Sequence, residues 1–90
     1  MEIRNVIDDI YSRFEISDKG KVIGELAYDV PFDDRLVIKH TSVSTDYAGQ
    51  GVGKLLIQET VRYAKEKELE IVVVCSYAVK MKNKHPELFE

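Results

Sequence analysis

Three glycines alternate in the segment Gly49-Gln50-Gly51-Val52-Gly53-Lys54, which leads into an apolar stretch. Without a Cβ atom, glycine lets the backbone turn tightly and lets a ligand approach the backbone N–H groups. If a helix begins here, its first N–H groups lack intrahelical partners and its dipole adds positive potential. The pattern predicts a phosphate or pyrophosphate site at a helix N-terminus. The alternative is a flexible turn between a strand and a helix.

Two well-known phosphate-binding motifs do not fit this segment. A P-loop requires Gly, four residues and then Gly-Lys-Ser/Thr, but Ala48 and Leu55 occupy the first Gly and the Ser/Thr positions. The dinucleotide fingerprint G-x-G-x-x-G would end at Lys54 or at Leu56 instead of at a glycine. The segment is therefore neither the P-loop of a protein that binds nucleoside triphosphates nor the glycine-rich turn of a protein that binds dinucleotides.

Cys75 and His40 are the candidate catalytic residues. Cys75 ends the apolar run 71–75, and active sites of open α/β sheets collect at the carboxyl ends of strands. A thiolate there can accept an acyl group, or the thiol can simply pack as a small hydrophobe. His40 is predicted to share a strand face with Leu36 and Ile38. Imidazole titrates near neutrality and can remove a proton from an amine; a packed sheet histidine is the alternative.

Other polar side chains are weaker candidates for proton transfer or phosphate binding. Tyr77 and Ser76 are candidate proton donors, although plain packing is the better explanation of Tyr77. The series Lys80, Lys82 and Lys84 can meet phosphates together with Lys54, or can form a solvated face. His85 precedes Pro86 and is expected to end a helix. The single cysteine and two separated histidines give no metal site.

The segments before the glycine loop predict an antiparallel meander. Predicted strands cover residues 14–16, 22–30 and 35–43, with turns at 18–21 and 31–34. Ahead of them, Ile3, Val6, Ile7 and Ile10 are spaced as on one face of a helix.

The segments after the loop predict one βαβ crossover. A stripe through Val52, Leu56 and Thr60 indicates a helix laid on a sheet. The β-branched run 71–75 is typical of a strand buried on both faces, and a short helix is expected over 78–84. The fold class is therefore α/β, with a mixed sheet built from the meander and the crossover.

Length and charge narrow the functional classes. Ninety residues make one domain, 1–90, and the 13 Lys and Arg against 16 Asp and Glu give a net charge of −3, which disfavours nucleic acid as a partner. No apolar run approaches the roughly 20 residues of a membrane span. The N-terminus lacks a signal-peptide pattern and the one cysteine is free to stay reduced. We therefore expect a cytoplasmic protein without a membrane partner, as a monomer or weak dimer.

The glycine loop resembles the acetyl-CoA pyrophosphate loop of the GNAT superfamily of N-acetyltransferases, whose pattern is Arg/Gln-x-x-Gly-x-Gly/Ala. Gly51 and Gly53 match the last two positions, and Ala48 stands at the Arg/Gln position. His40-Thr41, Cys75 and His85-Pro86-Glu87 extend the resemblance to small GNAT-like proteins.

This resemblance implies a GNAT-like acyl-CoA N-acyltransferase fold, with the thioester held where the strands ending near Val43 and at Cys75 diverge. It implies acetyl transfer from acetyl-CoA to an unidentified amine acceptor. The expected cofactor-binding residues are Val43, Gly49, Gln50, Gly51, Val52, Gly53 and Lys54. Two alternatives share parts of this sequence pattern: a non-catalytic acyl-CoA-binding or sensor module, and a partner-binding domain that uses an exposed edge strand.

Overall fold

The computed structural model describes residues 1–90 as a five-stranded sheet with two α-helices. The strands are β1 (Glu2–Ile7), β2 (Ser12–Asp18), β3 (Lys21–Phe32), β4 (Arg35–Val43) and β5 (Glu70–Val73). The helices are α1 (Val52–Glu66) and α2 (Ser76–Lys84), and short 3₁₀ turns cover Thr45–Tyr47 and Pro86–Phe89. The sheet order is β1-β2-β3-β4-β5, antiparallel except for the parallel β4–β5 pair that α1 connects. The predicted mixed sheet with one crossover is confirmed.

The N-terminal segment is a strand, so the helical spacing seen there predicted the wrong element. β1 pairs with β2 and sets Ile3 opposite Ile16. Ile7 and Ile10, which the helical face required to be buried, are exposed. Isoleucine and valine are stiff at χ1 and favour extended backbone, and pairing with β2 satisfies the backbone groups of this short segment.

The core lies between one face of the sheet and α1. Alternating positions of β2, β3 and β4 meet the helical stripe that begins at Val52, as both periods predicted. The fully buried side chains are Ile16, Leu26, Leu36 and Ile38 from the sheet and Val52, Leu56, Ile57 and Thr60 from α1. The buried Thr60 hydroxyl donates to the Leu56 carbonyl at 2.8 Å, so its burial leaves no unpaired polar atom. Neither helix is long and apolar enough to cross a membrane.

β5 is an edge strand, which differs from the expectation of a strand buried on both faces. It pairs only with β4, and Ile71, Val72 and Val73 are half-buried. The β-branched run reflects strand propensity and contact with the core on one side. The chain leaves β5 after Val73, and Cys75 is already the N-cap residue of α2.

β4 contains one extra residue that changes the direction of its side chains. Tyr28 of β3 pairs with Ile38, but the preceding Ala27 pairs with His40, so Lys39 has no partner on β3. An inserted residue of this kind is a β-bulge, and it reverses the inward and outward alternation beyond it.

The bulge corrects the predicted orientation of His40. This residue does not share a face with Leu36 and Ile38, because the reversal places it on the opposite face of the sheet, where it is exposed. Thr41 takes the core-facing position instead, opposite the buried Leu26.

The parallel strands β4 and β5 separate earlier than the strand ends near Val43 and at Cys75 that the resemblance implied. The β4–β5 ladder ends at the pair Ile38–Val73. Beyond it, the N–H groups of Val74 and Cys75 both donate to the Ile38 carbonyl, at 3.2 and 3.3 Å. β4 then continues to Val43 along β3 while β5 turns into α2, so an open wedge forms between the two strands.

Gly24 of β3 lets α1 approach the sheet closely. A Cβ atom on Gly24 would lie 2.9 Å from Ile16 Cγ2, 3.1 Å from Val52 Cγ1 and 3.3 Å from Leu56 Cδ1. The first turn of α1 therefore packs against β3 at a position where a side chain larger than that of glycine would crowd the core.

Substitution of Gly24 tests this seating. We expect Gly24→Ala to lower the free energy of unfolding by about 1–3 kcal/mol, because the added methyl group overpacks a filled core. Urea denaturation followed by circular dichroism measures the change. Alanine in an uncrowded strand would gain stability over glycine, so an unchanged or higher midpoint would contradict the close approach of α1.

Candidate functional site

The glycine loop joins the 3₁₀ turn after β4 to α1, and two of its glycines require a left-handed backbone. Gly49 and Gly51 have φ angles of 78° and 79°, a region that glycine enters without strain. Gly51 is the N-cap residue of α1. A Cβ atom at either glycine would meet no protein atom within 4 Å, so both α-carbons face open space.

The backbone N–H groups of this loop are largely free. Gln50 N–H donates to the Tyr47 carbonyl at 3.3 Å, and Leu55 N–H donates to the Gly51 carbonyl at 3.0 Å, which closes the first helical turn. The N–H groups that donate to no protein acceptor are those of Gly49, Gly51, Val52, Gly53 and Lys54. No acidic side chain lies in the first turn of α1. Free donors and the helix dipole together favour an anionic ligand.

The loop lines the largest cavity of the protein, a cleft of about 570 Å³. Val43 and Tyr47 line one side, and the side formed by α2 and its C-cap contributes Tyr77, Met81, Lys84 and His85. Lys54 also lines it, so the cleft is bordered by two lysine residues as well as by the loop. The cleft combines donors and cations for phosphate with apolar side chains for an uncharged arm.

Most of the predicted cofactor-binding residues line this cleft, and Gln50 does not. The cleft-lining members are Val43, Gly49, Gly51, Val52, Gly53 and Lys54. Gln50 instead turns its amide back along the loop, where Nε2 donates to the Asp46 carbonyl at 3.4 Å. Of the lysine series on α2, Lys84 lines the cleft, whereas Lys80 and Lys82 are exposed and lie outside its lining.

Tyr77 packs directly on the first turn of α1. A Cβ atom on Gly53 would overlap the Tyr77 hydroxyl and lie 2.6 Å from its Cζ. Gly53 therefore serves close packing of α2 on α1 rather than an unusual backbone angle. Burial raises the pKa of Tyr77, and the charge of a Cys75 thiolate raises it further. The phenol consequently stays protonated near neutrality and remains a hydrogen-bond donor.

Cys75 is buried at the junction of β5 and α2. Its side chain is 8% exposed, and its thiol donates a weak hydrogen bond to Thr41 Oγ1 at 3.7 Å. Burial raises the pKa of the thiol, but the N–H of Ala78 at the start of α2, the Thr41 hydroxyl and the N–H groups of Tyr77 and Thr41 outweigh it. The net effect is a pKa of Cys75 below its ordinary value.

The structure does not bring Cys75 and His40 together. The bulge at Lys39 directs Thr41 towards the sulfur and turns His40 to the other face of the sheet. There His40 is in register with Ala27, which in turn pairs with Arg13. His85, expected only to end a helix, is the C-cap residue of α2 and also lines the cleft.

Sequence reasoning missed Thr41 and Tyr47 as parts of the site. Thr41 carries no signal, because its direction depends on the bulge. Tyr47 lies next to the glycine loop, and an aromatic residue at that position is a signal that was available. Its partner Asp18, which accepts a hydrogen bond from the Tyr47 hydroxyl at 2.7 Å, is 29 residues away in sequence and gives none.

Comparison with known proteins defines the class of this fold and site. The family model of the GCN5-related N-acetyl-transferases matches residues 13–90. The NMR structure of a GCN5-like protein from Staphylococcus aureus is 33% identical, covers 97% of this chain and 82% of its own, and superposes with a TM-score of 0.74. The chain belongs to the GCN5-related N-acetyltransferase family, and the expected acetyltransferase is confirmed at the level of the enzyme class.

Two more distant structures share the fold. Rv2747 from Mycobacterium tuberculosis, solved with CoA and a second ligand, is 20% identical and has a TM-score of 0.71, covering 82% of this chain and 46% of its own. The ribosomal-protein-S18-alanine N-acetyltransferase of Escherichia coli is 17% identical and also has a TM-score of 0.71, covering 87% and 53%. This chain spans about half of each. No protein of curated function matches it at a significant level.

Titration of the thiol tests the electrostatics at Cys75. We expect the thiolate absorbance near 240 nm to appear at a lower pH than for an unfolded cysteine, whose pKa is about 8.5, because N–H donors stabilise the thiolate. Thr41→Val should move the transition to higher pH by removing one donor. Cys75 is the single cysteine, so Cys75→Ser supplies the blank. A transition at or above that of the urea-unfolded protein would contradict the arrangement.

Proposed function

We propose that the protein transfers an acetyl group from acetyl-CoA to an amine. The observation that carries this proposal is the row of free N–H groups at the start of α1, which lines the cleft together with Lys54 and Lys84. A pyrophosphate needs donors and positive charge in this arrangement. The presence of CoA in the Mycobacterium tuberculosis structure supports the same ligand class here.

The shape of the cleft fits the remainder of the cofactor. Apolar side chains of Val43 and Met81 line it beside the loop and suit the uncharged arm of CoA. Val43 ends β4, along the wedge that opens beyond Ile38. A thioester that follows β4 into this wedge would place its carbonyl between the diverging strands, where a backbone N–H donor would stabilise the oxyanion.

The chemistry then needs two proton movements. The amine must lose a proton so that its lone pair can attack the thioester carbonyl, forming the C–N bond as the C–S bond breaks. The CoA thiolate that leaves must take up a proton. Tyr77, which lines the cleft and whose pKa is raised by burial, is positioned to donate that proton.

The separation of Cys75 and His40 favours direct attack over a covalent intermediate. A Cys–His pair would need both side chains on one face of the sheet, but the bulge at Lys39 places them on opposite faces. In the direct route, His40 accepts a proton from an amine that enters from its own exposed face. Cys75, which lies outside the lining of the cleft, then forms no bond to the acetyl group.

Replacement of Gly51 tests the loop as the phosphate site. We expect Gly51→Ala to weaken the binding of acetyl-CoA by more than about tenfold, or 1.4 kcal/mol, because its Cβ atom would project into the space in front of the free N–H groups. Isothermal titration calorimetry measures the dissociation constant. Gly20 offers a matched control, because its φ is 80° and a Cβ atom there also meets nothing within 4 Å.

The two glycine variants share the same backbone strain of roughly 1–2 kcal/mol. Gly20→Ala, in the β2–β3 hairpin, should therefore lose similar stability and bind acetyl-CoA much more tightly than Gly51→Ala does. If Gly51→Ala binds acetyl-CoA as tightly as the parent, the loop is not the phosphate site. If the parent itself does not bind, the acyltransferase proposal fails and a partner-binding domain replaces it.

Mass spectrometry separates the two routes of transfer. Incubation with acetyl-CoA and no acceptor should leave the mass of the protein unchanged, and Cys75→Ala should keep most of the thiol release measured with a panel of primary amines. His40→Ala should lower kcat, because the proton acceptor is lost. The exposed position of His40 keeps this variant folded. A stoichiometric acetyl adduct on Cys75 that passes its acetyl group to an amine would overturn direct attack.

A further inference from the structure

Tyr47 ties the loop that follows β4 to a distant hairpin. Its hydroxyl donates to Asp18 Oδ2 at 2.7 Å, and Asp18 is the last residue of β2. The same tyrosine lines the cleft beside Ala48 and Gly49. One side chain therefore contacts both the ligand cleft and the β2–β3 hairpin.

No other side-chain hydrogen bond connects this loop to the rest of the protein. Ser44 N–H donates to the Ile23 carbonyl at 2.7 Å where the loop leaves the sheet. After that point, the hydrogen bonds of the loop are internal until α1 begins. They are Tyr47 N–H to Ser44, Ala48 N–H to Thr45, Gln50 N–H to Tyr47 and Gln50 Nε2 to Asp46.

The loop needs such an external contact because its own backbone is loosely constrained. Gly49 and Gly51 have many accessible backbone conformations, and only one of them directs the free N–H groups into the cleft. Ordering a mobile loop at the moment of binding lowers affinity, whereas a loop that is already ordered binds more tightly. No residue of the 3₁₀ turn is fully buried, and the one apolar contact of the turn with the core is made by the partly buried ring of Tyr47 itself.

We propose that the Tyr47–Asp18 hydrogen bond positions the glycine loop for the cofactor phosphates, which makes both residues positioning residues for acyl-CoA. This inference rests on the proposed function, because it assumes that the cleft receives CoA. Asp18 is outside the lining of the cleft, so it acts on the ligand only through Tyr47. The hydrogen bond to Asp18 raises the pKa of Tyr47, and the hydroxyl accordingly remains a donor over the neutral range.

A double-mutant cycle on the full chain tests the pair. Calorimetric titration with CoA would compare the parent with Tyr47→Phe, Asp18→Ala and the double variant. We expect each single variant to weaken binding by roughly five- to tenfold, as for loss of one typical intramolecular hydrogen bond, and the double variant to lose no more than either. Asp18→Asn keeps an acceptor oxygen and should restore most of the affinity.

The chain offers a matched control for general destabilisation. The Tyr11 hydroxyl donates to Glu25 Oε1 at 2.8 Å, which is the same chemical pair on the opposite face of the sheet. Tyr11→Phe should therefore keep the parent affinity for CoA. In turnover assays, the Tyr47 and Asp18 variants should raise KM for acetyl-CoA and leave kcat near the parent value.

The outcomes distinguish the positioning role of Tyr47 and Asp18 from the proposed acetyl-CoA-dependent function on which it rests. Absence of CoA binding by the parent would overturn the proposed function and this inference with it. Normal binding by the parent and by Tyr47→Phe would overturn the positioning role alone. A loss with Tyr47→Phe but not with Asp18→Ala would show that Tyr47 contacts the ligand itself, which also overturns it. An equal loss with Tyr11→Phe would attribute the effect to stability and reject the pair.

Discussion

The carbonyl of Ile38 accepts hydrogen bonds from two successive N–H groups, those of Val74 and Cys75. At this atom the parallel ladder between β4 and β5 ends. β5 is released to turn into α2, whose first residues reach Gly53 at the start of α1. The cleft between the glycine loop and α2 exists because the two strands part here, and the wedge between them opens along β4.

The extra residue Lys39, next to that carbonyl, determines whether His40 or Thr41 of β4 lies on the core face beside Cys75. With regular alternation, His40 would lie on the core face and Thr41 on the other. The bulge exchanges them, so that Thr41 meets the Cys75 sulfur and His40 stays exposed. A buried imidazole in contact with the thiol would favour acyl-cysteine chemistry. A hydroxyl and backbone N–H groups in its place favour a thiol that is polarised but has no base beside it.

The parts of this structure that sequence could predict are those governed by local periodicity. The stripe through Val52, Leu56 and Thr60 specifies a helix on a sheet, and the alternating glycines specify its N-terminus, because both follow from backbone geometry within a few residues. The spacing of Ile3, Val6, Ile7 and Ile10 fits a helical period, and pairing with β2 overrides it. Periodicity cannot locate a bulge, since the extra residue is defined by its partner strand. The Tyr47–Asp18 bond is likewise set by tertiary contact.

The short chain leaves one face of its sheet without a covering layer. A domain of 90 residues buries only part of its surface, and its core fills the side covered by α1. The other side carries the ion pairs of Arg13 with Asp8 at 2.8 Å and with Glu15 at 2.9 Å, in which the side chains of Arg13 and Glu15 are only 15% and 14% exposed. In the function proposed above, an acceptor amine would reach His40 from this face without displacing any part of the core, while acyl-CoA would enter the cleft from the helical side. The sheet would then separate donor and acceptor until they meet in the wedge beyond Ile38.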